Sequence, residues 1–388
     1  MKKKLKRLII NGVFLCALSS KSFSVQAKET QIELNFENIW GVNPIVENGT
    51  SLVPLRSIGD LLGANIDWDK DSQTITIRQE GVTNILTIDK KLAYKYNNDE
   101  KKEIQLSLAP QLINHTTYVP LRYIAESLDV KVDWDQNNKK IKLLEPFNYK
   151  NYKIYLGDSI EKAVSSLGEA SFTMKDEKYD YLFYVDDYEN VLIIYSDNNA
   201  VKGFTSNART MKFRDITNGS NNTINAPGLT IVRDQHDGDK IAVMSYNTNS
   251  TVPLTGEALM CNERIIFELT NGFRAHNNKS PLKYSSVISN VARNHSKDMA
   301  DNNYFSHTSL DGRSMSTRLN EGGINWGRCG ENIAAGNGSG ILVFGQWLNS
   351  LGHRNNMLGQ DGELGIGSAY NPDSKYRYYH TQNFVLRR

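Results

Sequence analysis

Apolar positions fall into three patterns along the chain. Between residues 52 and 143 they come as short clusters separated by polar turns. Ile58, Leu61 and Leu62 sit at helical spacing and Thr74-Ile75-Thr76-Ile77 alternates as a strand does. The unit repeats with an offset of 66. Val53-Pro54-Leu55-Arg56 matches Val119-Pro120-Leu121-Arg122, Ile58 matches Ile124, Leu62 matches Leu128, Asp67-Trp68-Asp69 matches Asp133-Trp134-Asp135, and Ile75 matches Ile141. Each copy predicts a short strand, a helix and a hairpin. From 148 to 205 the pattern predicts one helix, with Ile160, Ala163, Val164 and Leu167 as its stripe, Asp158 or Ser159 as its cap and Gly168 as its stop. Strands at Tyr181–Val185 and Val191–Tyr195 follow. Ile231-Val232 and Ile241–Met244 read as further strands inside a segment (206–255) otherwise rich in Asn, Thr, Ser and Gly, which reads as linker.

From 256 onward the period lengthens. Cys261, Ile265, Leu269 and Phe273 mark a helix over 258–275, and Val287, Val291, His295 and Met299 mark a second over 287–300. A third runs from Ser339 or Gly340 to about Leu351. Gly365–Tyr370 and Tyr378–Val385 read as strands joined at Asn371-Pro372-Asp373. The sum is a multidomain α+β chain. It has a repeat α+β N-terminal domain at 28–147, a small α+β middle domain with linker at 148–250, and a layered α-β-α domain at 256–388.

The first 27 residues break the pattern. Lys2, Lys3, Lys4, Lys6 and Arg7 precede a short apolar run, and Val25-Gln26-Ala27 offers small residues for cleavage. This is the layout of a secretion signal. The run is shorter than the roughly 20 apolar residues that span a bilayer, and no later run is long enough, so no transmembrane anchor is expected after cleavage. Cys16 lacks the small preceding residue of a lipid-attachment site. Removing the segment and its six basic residues takes the formal charge from +2 to −4. No basic patch stands out in the remainder, which argues against nucleic acid as a partner. A secreted, extracellular chain is expected, associated with the cell wall or envelope.

Chemistry concentrates at the C-terminal end, where five of the seven histidines lie. Tyr304-Phe305-Ser306-His307, Gly330-Glu331-Asn332-Ile333-Ala334 and Gly352-His353-Arg354-Asn355-Asn356-Met357-Leu358 place two imidazoles and a carboxylate where they can converge, as metal ligands or as acid/base groups. Glu331 could equally orient Asn332 or cap a backbone amide. His295 lies on an apolar stripe and reads as a hydrogen-bonded core histidine; His380 alternates within a strand and could face either way. Asp67, Asp69 and Asp71 read as a solvated turn, since a calcium loop would need a glycine and a distal glutamate where Ser72 and Arg78 stand. After signal cleavage Cys261 and Cys329 are the two thiols left. In an oxidising compartment they could form a disulfide; alternatively Cys261, on a helix stripe, serves as a small buried hydrophobe.

Three resemblances follow from these motifs. The paired VPLR and DWD elements over about 30–145 resemble the copper amine oxidase N-terminal domain, a non-catalytic accessory module. With His115 as its only histidine, this stretch offers no copper site, and a spacer or envelope-binding role is expected. The glycine-led helix of the middle region resembles a CAP-associated domain. With Asn271-Gly272-Phe273-Arg274, the C-terminal motifs resemble the CAP superfamily (SCP-like) of cysteine-rich secretory, antigen-five and pathogenesis-related proteins. That resemblance implies an α-β-α sandwich whose cleft holds two histidines and two acidic residues, with a divalent metal on the histidines in some members. His307, Glu331 and His353 match three of the four. The second acid has no match: Asp311 and Glu321 lie between His307 and Glu331, but neither sits in a recognisable motif. Two functions follow from the resemblance. One is a cleft that binds a ligand (envelope polymer, peptide or lipid) or a divalent metal such as zinc. The other is a metal-assisted hydrolase of peptide or cell-wall material, with Zn²⁺ on His307 and His353 and Glu331 as base. A purely structural surface protein is the third reading.

Overall fold

The computed structural model describes residues 30–388 apart from positions 80, 99, 215, 222–226, 248–255 and 360–361. The secretion signal and Cys16 fall outside the described residues.

Both repeats fold as their pattern predicts. Strand Thr50–Pro54 leads into helix α1 (Leu55–Leu62) and the hairpin Asn65–Asp69 with Thr74–Gln79. Strand Thr116–Pro120 leads into α2 (Leu121–Ser127) and the hairpin Lys131–Asp135 with Lys140–Leu144. The two leading strands pair antiparallel with Val53 directly opposite Val119. These are the same position of the repeat, so a local two-fold axis passes between them. Val53, Val119, Ile58 and Ile124 are fully buried in one shared cluster. A left-handed residue ends each helix at the equivalent place, Gly63 (φ 71°) in one and Asp129 (φ 66°) in the other. The turn aspartates fold back on their own backbone: Asp69 Oδ1 accepts from the amides of Asp71 (2.9 Å) and Ser72 (3.3 Å), and Asp135 Oδ1 from those of Asn137 (3.1 Å) and Asn138 (3.0 Å).

The middle unit holds helix α3 (Ile160–Leu167), capped by Ser159. Its antiparallel sheet has six strands in the order Phe172–Lys175, Asp180–Tyr184, Leu192–Asp197, Ala200–Ser206, Lys240–Asn247, Leu229–Asp234. The segment read mainly as linker thus supplies two full strands. Alternate residues of this sheet serve different cores. Leu182, Ile194 and Phe204 pack with Ala163 of α3, whereas Tyr181, Phe183, Ile193 and Tyr195 pack with Ile265 and Leu269 of the C-terminal unit. Middle and C-terminal units therefore share one continuous core.

The C-terminal unit contains α4 (Gly256–His276), α5 (Ser286–Asp301), α6 (Met315–Glu321), α7 (Gly340–Asn349) and α8 (Leu351–Gly359). Its sheet has the order Lys283–Tyr284, Glu363–Tyr370, Tyr378–Arg387, Trp326–Ala335. Helix α5 lies on one face, close enough that a Cβ on Gly367 would fall 1.9 Å from the Arg293 nitrogen. On the other face Leu364, Ile366 and Phe384 meet residues of α4, α7 and α8. The three-layer α-β-α arrangement leaves strand Trp326–Ala335 as an edge. Among the described residues no helix is long and apolar enough to cross a membrane.

Candidate functional site

Glu331 and Asn332 are consecutive on the edge strand, so their side chains leave on opposite faces. Each holds one histidine-bearing element. On the α5 side, Glu331 Oε1 is 2.9 Å from His307 Nδ1, and Glu331 Oε2 accepts from Arg318 Nη2 at 2.7 Å. Arg318, on α6, is 5 % exposed and Glu331 4 %. The guanidinium also donates to the carbonyls of His307 (3.0 Å) and Arg313 (3.1 Å), fixing the loop on which His307 sits. On the opposite side, Asn332 Nδ2 donates to the His353 carbonyl (3.1 Å) and to Gln382 Oε1 (2.9 Å), and Gln382 donates in turn to Thr270 Oγ1 of α4. Asn356 donates to Asn332 Oδ1 and to the Glu331 carbonyl.

The structure therefore joins His307 to Glu331 directly and brings His353 near enough for its charge to feel His307. Burial, and secondarily the neighbouring His307, hold the His353 pKa below the ordinary histidine value. The His307 side chain stays 56 % exposed. With Nδ1 against the carboxylate, its Nε2 is the nitrogen left for a ligand. Both Glu331 oxygens are engaged and buried, an arrangement suited to orienting an imidazole rather than to working on water.

Asp311 and Glu321 do not supply the missing carboxylate. Arg313 takes both, Asp311 at 2.6 Å and Glu321 at 3.3 Å, in an exposed network. Among the described residues no three His, Cys, Asp or Glu side chains gather as a metal-holding group. Two imidazoles fall short of the three protein ligands usual for catalytic zinc, so the donor set does not fit a tightly held catalytic ion.

The other histidines of the C-terminal unit are structural. His295 contacts the Ser306 carbonyl through Nε2 (3.0 Å), bracing the loop just before His307, and burial pushes its pKa down to about 4. His380 lies between Ser368 Oγ (2.9 Å) and the Asn337 carbonyl (2.7 Å), fully buried, and is likewise pushed down to about 4. His276 reaches the Glu189 carbonyl of the middle unit. Asn271 and Arg274 also serve the scaffold. Asn271 exchanges two hydrogen bonds with the Leu282 backbone, and Arg274 donates to the carbonyls of Ser280 and Met357.

Cys261 and Cys329 do not pair; both are free thiols. Cys261, on α4, sits in the core shared with the middle sheet, whereas Cys329 packs with Ile288 and Leu319 against α5, across the sheet. Burial pushes the Cys261 thiol up to about 12. Arg318, central to the site, is the residue the sequence did not single out. A large cavity of about 770 Å³ lies elsewhere, between the N-terminal repeat and the middle unit, with Lys95, Asp129 and Arg214 in its wall.

Comparison with known proteins finds two matching families. Residues 31–143 match the model of the copper amine oxidase N-terminal domain, and residues 267–384 that of the cysteine-rich secretory protein family, CAP. Two Bacillus subtilis proteins are similar over part of the chain. The uncharacterized membrane protein YlbC is 40% identical over 126 residues, 32% of this chain and 34% of that protein. The uncharacterized protein YkwD is 34% identical over 135 residues, 34% of this chain and 52% of that protein. The chain thus spans a third to a half of the curated relatives it matches. Among solved structures, an extracellular protein containing an SCP domain from Bacillus anthracis superposes with a TM-score of 0.50 at 25% identity, covering 60% of this chain and 94% of that one. The chain carries a CAP domain of the cysteine-rich secretory protein family, behind a copper amine oxidase N-terminal domain.

Proposed function

We propose that this is an extracellular, envelope-associated CAP protein whose C-terminal unit binds a ligand between His307 and His353, presented by the two units that precede it. One observation carries the reading. An exposed imidazole is held by a buried carboxylate whose charge is already balanced by a buried arginine. Such support fixes the ring and its tautomer while leaving one nitrogen outward, as recognition of a hydrogen-bonding ligand requires. The similarity to an extracellular SCP-domain protein supports the location. The metal-assisted hydrolase reading gains nothing from the donor set, because Glu331 is committed on both oxygens.

The test follows the imidazole ring signals of His307 and His353 by NMR. Solubilised envelope polymer, short envelope peptides and lipid micelles are added in separate titrations. One class should shift both signals, and the double variant His307→Ala/His353→Ala should lose that binding. If no class moves either ring, or the double variant binds equally well, the site is not a ligand site.

A further inference from the structure

Helix α8 carries His353 yet has little means of fixing its own orientation. It is nine residues long, includes Gly352 and Gly359, and begins after a single residue, Ser350, that follows α7. A helix this short draws its stability and placement from tertiary contacts. Its far end is held by Arg274 on the Met357 carbonyl. Its near end is held from two sides, by Asn332 on the His353 carbonyl and, from outside the CAP match, by the middle unit.

The middle unit's grip is built from four consecutive residues at the end of strand Leu229–Asp234 and in the turn after it. Asp234 receives Arg354 Nη1 on both oxygens, at 2.8 and 2.9 Å, with both side chains 11 % exposed. The Arg354 guanidinium lies over the Phe273 ring, 4.6 Å from its centroid. Asn349, the last residue of α7, donates to the Arg233 carbonyl (2.8 Å) and accepts from the Gln235 amide (2.9 Å); its own carbonyl meets His236 Nε2 at 3.2 Å. A little earlier, a Cβ on Gly345 would meet Val232 at 3.1 Å, so the glycine lets α7 press against the same strand.

We propose that segment 233–236 of the middle unit is a positioning element for the histidine site, with Asp234 as its principal residue. Arg354 immediately follows His353. Successive residues of a helix are turned by a fixed 100°, so anchoring Arg354 sets the rotation of α8 and with it the direction of His353. His307 is then held within the C-terminal unit, by Glu331 and Arg318, whereas His353 is held both there, by Asn332 on its carbonyl, and from the middle unit, by Asp234 through Arg354. The middle unit is part of the site's framework rather than a spacer. This rests on the reading of His307 and His353 as a ligand site, but its test needs no ligand.

The experiment uses the full chain with Asp234→Ala and the near-isosteric Asp234→Asn, which is the fallback should the alanine variant fold poorly. Two readouts are taken at a pH where the imidazoles are neutral: the ring signals of His307, His353 and His380, and hydrogen exchange of α8 and α5 amides. Asp234→Ala should shift the His353 signal and speed α8 exchange about ten-fold, with α5 and His380 unmoved; Asp234→Asn should do the same to a smaller degree. Wild-type behaviour of His353 and α8 would overturn the proposal. So would exchange that accelerates equally in α5 and α8, which would mark Asp234 as a general stabiliser. A null ligand titration together with an altered His353 would sink only the ligand reading.

Discussion

Arg318 offers the sharpest test of how the site is built. It contacts Glu331 Oε2 at 2.7 Å, the carbonyls of His307 and Arg313 at 3.0 and 3.1 Å, and Ser309 Oγ at 3.4 Å, from a position almost closed to solvent. Replacing it with methionine keeps most of the volume and removes every one of these contacts. Breaking a buried ion pair by deleting one partner costs about 3–5 kcal/mol, because the other charge is left uncompensated. His307 remains on the second Glu331 oxygen, so the loss should fall at the low end, about 3 kcal/mol. Glu331→Gln leaves Arg318 a neutral acceptor and should cost about 1.5–3 kcal/mol, the range for hydrogen bonds to charged groups. The double variant should then be more stable than the sum of the two losses implies, by about 1–2 kcal/mol. Urea unfolding followed by tryptophan fluorescence reads this, since Trp347 is buried and donates to the Ile333 carbonyl, two residues from Glu331. A loss below about 1 kcal/mol for Arg318→Met, or strict additivity in the cycle, would refute the claim that the pair holds the site together.

His380 gives a pH-linked prediction. Its folded pKa of about 4 lies below the ordinary 6.5, so unfolding takes up a proton as pH falls through that window. The stability it lends is whole above 6.5 and lost towards 4. The penalty of His380→Gln should therefore shrink by about 2 kcal/mol between about pH 7.5 and about pH 5, and a constant penalty would contradict it. Both Cys261 and Cys329 should alkylate after denaturation without reductant, as mass spectrometry would show; a protected pair would mean a bridge. Gly272→Ala places a Cβ 2.1 Å from Asn207 Nδ2 of the middle unit and should cost about 1–3 kcal/mol by overpacking, measured by thermal unfolding; no loss would mean that the interface yields freely. A desalted preparation should retain far less than one zinc per chain, and stoichiometric zinc that vanishes in His307→Ala/His353→Ala would overturn the reading of the donor set.

Elements with a strong period were legible in the sequence. The 66-residue offset predicts two strand–helix–hairpin units, and helices α4 and α5 extend one or two residues beyond their predicted ends. His307 and Glu331, which the motifs single out, lie 2.9 Å apart. What escaped depends on distant partners. Helix α8 has no apolar stripe, with Met357 its only buried hydrophobic residue, and it takes its place from Arg274, Asn332 and Asp234. Arg318 sits in a seven-residue helix with no motif of its own, and its role appears only when Glu331 lies against it. The shared core left a trace that could have been read. Tyr181-Leu182-Phe183-Tyr184 is continuously apolar, the signature of a strand buried on both faces. A second packing layer was therefore implied, and α4 is that layer.

The location of the site follows from a problem common to all open sheets. An edge strand exposes unpaired backbone groups that invite association with another chain, and proteins cover or interrupt such edges. Here the edge strand Trp326–Ala335 is bordered by the His307 loop and α6 on one side and by α8 on the other. Attaching those covers requires polar side chains that leave the strand in both directions, and Glu331 and Asn332 are those side chains. Each cover also carries a histidine near its point of attachment. Protection of the edge and construction of the site are thus served by the same two residues. Substitution of either should loosen one cover and displace one imidazole together, with Asn332→Ala acting on His353 and α8 while leaving the Glu331–Arg318 pair in place. Hydrogen exchange across 304–313 and 351–359 separates the two effects. Equal loosening of both segments by Asn332→Ala would show that the covers are coupled through the strand rather than held independently.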